Sequence, residues 1–488
     1  MLWATPFGKV AMTHFNIGGR FLTTARRNPD LLAIVTDRTM LNYADLKRLT
    51  LSFATCMEHR GVTRGSVVAL DSEDMLLVAP TLLAASLLGA SWLALRHAPM
   101  LSQMVQPTHV FRGADAAVPD AYRSELIDQS WTASPPRTLP DPALADPDAP
   151  FIYVNTSGTT GTPKILHLTQ RLMSLRADAV ADDFVERQTV FCSLFSPIAF
   201  PYISRFLPAL TLGATVVHSR SIDLWYTAGV NHLYGSVTQV AETLANVSLQ
   251  RKLPMIHVSG SKLSDGLARH LLQNFEHVID LYASTETNRS FKNIKYLDDT
   301  GKVQTRGQKL DSEVQIVDEA AQSLPDGEIG LVRVRNRYLA PGYLNAPQAQ
   351  AASFRDGWFY SGDFGRFTEL RALQIIGRTG DVLNIGGVKI NALAIDETLR
   401  EIEGVQDAMC FDVPTQDGPN ALLAFVVPAP GVLMEDLARR LSQVAAVKLG
   451  GVRTPARIIQ IDKVPRAHDG GARRFECRTI YESRLNGT

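Results

Sequence analysis

Tyr153-Val154-Asn155-Thr156-Ser157-Gly158-Thr159-Thr160-Gly161-Thr162-Pro163-Lys164 narrows the chemistry of this chain further than any other stretch. A β-branched and aromatic run, Phe151 to Val154, predicts a strand feeding a loop. The loop carries Gly158 and Gly161 among five hydroxyl side chains and closes on Lys164. Glycine allows positive φ, so backbone N–H groups can turn inward and form a concavity for anions. The hydroxyls add donors, and the lysine adds a mobile positive charge for a phosphate. The segment asks for a nucleoside triphosphate. It is not the P-loop of ATPases, which has four residues between its glycines and then Gly-Lys-Ser/Thr; here two residues separate them and Pro163 precedes Lys164.

Three further stretches follow in order. They are Tyr282-Ala283-Ser284-Thr285-Glu286, then Gly357-Trp358-Phe359-Tyr360-Ser361-Gly362-Asp363, then Gly377-Arg378 with Asp381 and Gly386-Gly387-Val388-Lys389-Ile390. With the loop, they resemble the ordered signatures of the acyl-adenylate-forming superfamily: acyl-CoA synthetases, adenylation domains of peptide synthetases, and luciferases. The resemblance runs from about Leu41 to about Arg478. It implies a large layered α/β N-terminal domain (1–376), a hinge (377–381) and a small mobile α+β C-terminal lid (382–488). It also implies that a carboxylic acid is activated with ATP and Mg²⁺ to acyl-AMP, which then reacts with an acceptor.

By the same resemblance, Thr156, Ser157, Gly158, Thr159, Thr160, Gly161 and Lys164 cradle the β- and γ-phosphates. Thr285 donates to the α-phosphate or the substrate carboxylate, and Glu286 holds Mg²⁺. Tyr282 lies against adenine, Asp363 accepts from the ribose hydroxyls, and Arg378 assists from the hinge; Gly260 and Ser261 complete the nucleotide contacts.

Composition fits such an enzyme. The 488 residues suffice for a large and a small domain with ample core. Lys+Arg and Asp+Glu both total 49, so there is no global basic field for nucleic acid. Met75 to Ala90 is the longest nearly apolar stretch and is too short to span a bilayer, so no membrane insertion is expected. Met1 to Val10 lacks a basic region followed by an apolar core, so no signal peptide is expected. Cys56, Cys192, Cys410 and Cys477 show no metal or redox spacing, and a reduced, cytoplasmic setting is the simplest expectation.

Strand and helix signals alternate. Asn42 predicts a cap for a helix from Tyr43 to Arg60 ended by Gly61, and Met75 to Leu88 reads as a buried helix. Ser66–Leu70, Lys164–Leu168, Thr215–Val217 and Met255–Val258 read as strands, and Arg171–Val180 as a helix. Met100 to Asp148, rich in Pro, Asp and Ala, reads as irregular surface. Past the hinge, Ile395–Ile402 and Glu435–Lys448 read as helices, and Ala408–Val413 and Leu422–Val427 as strands.

The chain departs from the family pattern at Pro465 to Arg474, where Gly471 takes the place of a lysine that reaches the α-phosphate during adenylation. Three readings stay open: Arg466, Arg473 or Lys463 substitutes for it; the lid serves mainly the second half-reaction; or the protein only binds a nucleotide or acyl-AMP. Gly380 at the hinge pivot and Asn384 are smaller departures. From Arg453 onward, seven arginines and Lys463 face Asp462, Asp469, Glu476 and Glu482, a surplus of four positive charges. That surplus suits a nucleotide phosphate or an acidic carrier protein, and equally a solvated face.

The acceptor is expected to be a thiol, of coenzyme A or of an acyl or peptidyl carrier protein, with an amine as the alternative. Ile198-Ala199-Phe200-Pro201-Tyr202 offers no carboxylate for an ammonium, which disfavours α-amino acids. Phe195, Phe200, Tyr202 and Tyr234 are candidates for an apolar or aromatic pocket for an aliphatic or aryl acid, each with ordinary core as its other reading.

Overall fold

Strand-forming runs separated by helices build two large sheets in the computed structural model, which describes residues 15–95, 104–114, 116, 123–133, 146–156, 164–244, 247–344, 346–385, 388–415, 420–466 and 472–485. The nine-stranded sheet has the order Val303–Lys309, Asn288–Leu297, Phe275–Ser284, Leu253–Ser259, His232–Ser236, Val190–Ser193, Thr215–His218, Leu32–Thr36 and Met40–Asn42. The seven-stranded sheet has the order Tyr343–Leu344, Lys164–Thr169, Pro150–Thr156, Ser91–Ala94, Val67–Asp71, His109–Arg112 and Glu125–Leu126. Central strands of both pair in parallel, the geometry that helical crossovers produce.

Period-two alternation assigns each strand residue to one of two layers. Val68, Leu70, Ile152 and Val154 of one sheet and Phe191, Val216, Tyr234 and Leu281 of the other share a core with the helices Ile17–Arg27, Tyr43–His59, Met75–Leu88, Gln170–Ala179 and Phe200–Thr211. These helices therefore lie between the sheets. The opposite face of the nine-stranded sheet, with Leu233, Ile256, Val258 and Val278, packs on Ile222–Ala228, Val237–Leu244 and Asp265–Asn274.

Helix ends follow their capping residues. Asn42 Oδ1 accepts from Asp45 N at 2.8 Å, and Asp74 Oδ1 accepts from Leu76 N at 2.9 Å. Among the described residues no helix is long and apolar enough to cross a membrane. All four cysteines are free and buried.

Met100–Asp148 is not all irregular surface. His109–Arg112 pairs in parallel with Val67–Asp71, and Trp131 in the short helix Ser130–Ala133 is fully buried edge-on to Phe53 and Phe111, at 5.2 and 5.0 Å between centroids. The Pro, Asp and Ala composition hides this because isolated residues, not a periodic run, carry the burial.

A five-stranded sheet follows, in which Trp358–Phe367 pairs with Gly330–Arg335, Phe354–Arg355 and Leu373–Arg378. The C-terminal part is a small α+β domain. Its sheet of Val405–Val413, Ala421–Pro428 and Arg457–Gln460 is covered on one face by Ala392–Arg400 and Met434–Lys448, and on the other by Arg474–Leu485.

Candidate active site

Thr156 ends one strand and Lys164 opens the next, and the two are direct antiparallel partners. Ser157, Gly158, Thr159, Thr160 and Gly161 lie between them, outside the described residues. The neighbouring strand contributes Tyr343, whose ring centroid stands 4.9 Å from Lys164 Nζ. The Tyr343 hydroxyl donates to Glu286 Oε1 at 2.7 Å. Burial first, and the Glu286 carboxylate second, push the Tyr343 phenol above its ordinary value, so it stays a donor at neutral pH. One side chain thus touches both Lys164 and Glu286.

Thr285 and Glu286 form the turn that follows the strand Phe275–Ser284. Ser284 Oγ accepts from Thr287 N at 3.1 Å, a local bond that closes the turn. The turn is held from behind by Arg176. This guanidinium is 1% exposed and donates to the carbonyls of Thr285 (3.0 Å), Glu286 (2.9 Å) and Tyr338 (3.2 Å). Burial lowers Arg176 to about 10, which leaves it charged at neutral pH. Arg176 escaped the sequence reading, although it falls on the buried stripe of Leu172, Met173 and Ala177, where a charge calls for partners.

At the other end of the same segment, the Tyr282 hydroxyl donates to Asp363 Oδ2 at 2.6 Å and stands 2.8 Å from Ser361 Oγ. Arg378 Nε donates to Asp363 Oδ1 at 3.1 Å, across directly paired strands. Gly362 has φ +77, the left-handed region that delivers Asp363 inward at low cost. Gly260, with φ +93, ends the strand Leu253–Ser259 in the same way, and Ser261 beside it is exposed. The structure therefore brings Thr156 to Lys164, Tyr282 to Asp363 and Arg378, and Glu286 to Lys164 through Tyr343.

The candidate acyl residues separate. Tyr202 lies in the closed core, its hydroxyl 3.4 Å from Met75 Sδ, whereas Phe200 is half-buried at the start of its helix. Phe195 packs on Tyr234 at 5.0 Å, and the Tyr234 hydroxyl is 3.1 Å from Ser259 Oγ, next to Gly260. A cavity of about 500 Å³ lined by Met255, His277, Lys292 and Arg306 lies toward the starting ends of these strands, away from Tyr282 and Glu286.

Of the C-terminal arginines, Arg466, Arg473, Arg474 and Arg478 are tied to carboxylates rather than free. Arg466 clasps Asp407 at 2.8 and 2.6 Å, Arg473 pairs with Glu476 at 2.5 Å, and Arg478 pairs with Asp412. Arg474 is 4% exposed, bonded to Asp381 Oδ1 at 3.0 Å and to the Cys410 carbonyl at 2.6 Å, with Asp396 Oδ2 2.7 Å away. Arg474 is thus a buried structural charge and not an acceptor-facing one. Of the three candidate replacements for the missing lysine, Lys463 is exposed and makes no ion pair among the described residues. Gly386, Gly387 and Gly471 lie outside the described residues.

The family model for AMP-binding enzymes matches residues 21–344, and the model for the AMP-binding enzyme C-terminal domain matches residues 394–470. The chain belongs to the AMP-binding enzymes. This AMP-binding enzyme is 25% identical to the indoleacetate–CoA ligase of Aromatoleum aromaticum, over 93% of this chain and 95% of that one. It is 27% identical to triostin synthetase I of Streptomyces triostinicus, over 69% of this chain and 66% of that one. Its fold is similar to O-succinylbenzoate coenzyme A synthetase from Bacillus subtilis in complex with ATP and magnesium ion, with a TM-score of 0.80 at 19% identity over 94% of this chain and 98% of that one. The resemblance carried by the four ordered motifs identified the right superfamily, and this AMP-binding enzyme is an acyl-adenylate-forming ligase.

Proposed function

We propose that the protein uses ATP and Mg²⁺ to activate a small carboxylic acid as acyl-AMP, releasing pyrophosphate, and passes the acyl group to a thiol. The observation that carries this reading is the segment Tyr282–Glu286. One end is tied to Asp363 and the other, through Tyr343, to Lys164, so the residues assigned to the nucleoside and those assigned to the phosphates meet at one strand end.

In this reading the 156–164 loop cradles the β- and γ-phosphates, and Thr285 donates to the α-phosphate or the substrate carboxylate. Asp363 accepts from the ribose, Arg378 assists, Tyr282 lies against adenine, and Gly260 and Ser261 line the nucleotide. Glu286 holds Mg²⁺. A single carboxylate suits this ion, which takes its other ligands from phosphate and water, and no group of three His, Cys, Asp or Glu suited to a metal occurs among the described residues. Bound there, Mg²⁺ supplies charge neutralisation on the phosphate oxygens. Residues 377–381 form the hinge between a 1–376 nucleotide-binding domain and a 382–488 lid, and closure of the lid excludes water from the crevice.

Coenzyme A or a carrier-protein phosphopantetheine is the acceptor; the likeness to a CoA ligase over nearly the full length of both chains supports the thiol. The absence of a carboxylate at 198–202 argues against an α-amino acid. Carboxylate-dependent ATP–pyrophosphate exchange over aliphatic, aryl and amino acids tests the first step, and thiol-dependent AMP release tests the second. Exchange without thiol-dependent turnover, but with amine-dependent turnover, would move the assignment to amide formation. No exchange with any acid would sink the enzymatic reading.

A further inference from the structure

Between the sheets, below Tyr234, lies a buried polar cluster that the nucleotide site does not use. Parallel pairing puts Tyr234 beside His257, and His257 beside Ile279, on the inner face of the nine-stranded sheet. Ser259 occupies the same face of the same strand two residues above His257, about 7 Å along it, and Gly260 follows Ser259. Descending from the nucleotide end, the face therefore reads Ser259, then Tyr234 with His257, then His232, whose Nε2 is 2.9 Å from His257 Nδ1.

Arg205 reaches this face from the helix Phe200–Thr211, with its guanidinium carbon 5.6 Å from the Tyr234 ring centroid. It is 2% exposed, yet its Nε and Nη1 have no hydrogen-bond acceptor among the described residues. Asp183 Oδ2 stands 3.9 Å from Nη1, too far for a hydrogen bond, and is already engaged by Arg289 at 2.6 Å; its other oxygen takes Lys292 at 2.8 Å. Three cations, Arg205, Arg289 and Lys292, thus share one buried carboxylate and the half-exposed Asp182. His232 Nδ1 and His257 Nε2 are likewise buried without a hydrogen-bond partner among the described residues.

Burying a guanidinium whose Nε and Nη1 lack acceptors is costly, and this one packs on Tyr234, whose hydroxyl stands 3.1 Å from Ser259 Oγ, next to Gly260 of the proposed nucleotide site. Resting on the adenylation reading above, we propose that the acid substrate carries a second negative or strongly accepting group at its far end, a distal carboxylate above all, and that Arg205 receives it. The upper wall of Phe195, Phe200 and Tyr234 suits a short aliphatic or aryl spacer between the two ends.

The test is binding in the presence of Mg²⁺ and α,β-methylene-ATP, which blocks the chemistry. Calorimetry compares length-matched pairs: butanoate with succinate, hexanoate with adipate, and 4-methylbenzoate with terephthalate. In at least one pair the doubly acidic member binds at least about tenfold tighter, as hydrogen bonds to charged groups predict. Arg205→Met brings that ratio near one, and Arg205→Lys keeps part of it. Asp183 retains Arg289 and Lys292 in both variants; should either fail to fold, the wild-type ratios alone decide. Methyl-ended acids binding equally or better in every pair, or a ratio untouched by Arg205→Met, overturns the proposal. Pyrophosphate exchange, run separately with ATP, distinguishes the two claims. Exchange with methyl-ended acids only leaves adenylation standing and removes the acidic tail, whereas a binding preference without exchange does the reverse.

Discussion

Tyr343 gives its ring face to an ammonium and its hydroxyl to a carboxylate, and each half can be removed alone. Tyr343→Phe keeps the face over Lys164 and deletes the donor to Glu286. We expect the Mg²⁺ concentration for half-maximal pyrophosphate exchange to rise about tenfold, the scale of one hydrogen bond to a charged group, with the melting temperature nearly unchanged. An unaltered Mg²⁺ dependence would take Tyr343 and Glu286 out of the metal site. Asp363 accepts from Tyr282 and from Arg378 on different oxygens. Asp363→Asn leaves one acceptor and no charge, so AMP affinity measured by calorimetry should fall by about tenfold or more. Tyr343 did not stand out in the sequence, because a lone hydroxyl after glycine carries no periodic signal, and Ser361 was read only as part of the Gly357–Asp363 motif, with no role of its own.

The turn after Phe275–Ser284 depends on a helix distant in sequence. Arg176→Met removes three hydrogen bonds, to the carbonyls of Thr285, Glu286 and Tyr338, although Glu286 keeps Ala340 N at 2.8 Å; the cost is about 3 kcal/mol if each lost bond is worth about 1 kcal/mol. We expect a lower unfolding midpoint in urea and weakened exchange, with Arg176→Lys intermediate because an ammonium cannot reproduce the fork. Equal stability of Arg176→Met and wild type would deny the turn its support. Elements with a sustained apolar pattern were legible in the sequence: Asn42 starts its helix, Met75–Leu88 is a buried helix, and the strands at 150, 164, 215 and 253 lie where β-branched runs put them. What was not legible is burial decided by a distant partner. Trp131 is core because Phe53 and Phe111 meet it, and Arg474 is structural because Asp381 and Asp396 enclose it. Net charge along the chain could not distinguish those arginines from a solvated patch.

For the molecule as a whole, acid stability should carry the signature of the buried histidines. Burial holds His232 down to about 4 and His257 well below its ordinary value, whereas in the unfolded chain both titrate near 6.5. The unfolded state therefore takes up these protons first, so their contribution is complete above about pH 6.5 and is lost as pH falls toward 4. Asp280, pushed up to about 6 by burial, acts in the opposite sense over much of that window. The His232→Asn/His257→Asn double variant should consequently lose less melting temperature between pH 6.5 and 4.5 than wild type; parallel curves would contradict this. The lid invites a second global test. Gly471→Lys should raise exchange by at least about tenfold if a cation aimed at the α-phosphate limits the first step, and Lys463→Ala should lower it if that exposed lysine is the replacement.

The register of one strand pair has a mechanical corollary. Asp363 and Arg378 share a rung, and Thr379 begins the turn out of the sheet. In the proposed reading, a ribose hydroxyl arriving at Asp363 would compete for the carboxylate that anchors Arg378, the final residue before that turn. If residues 377–381 are the hinge proposed above, occupancy would be registered at the fulcrum itself, and the arm beyond it would swing from a tighter or looser root according to whether a nucleoside is seated, with no relay through the body of the protein.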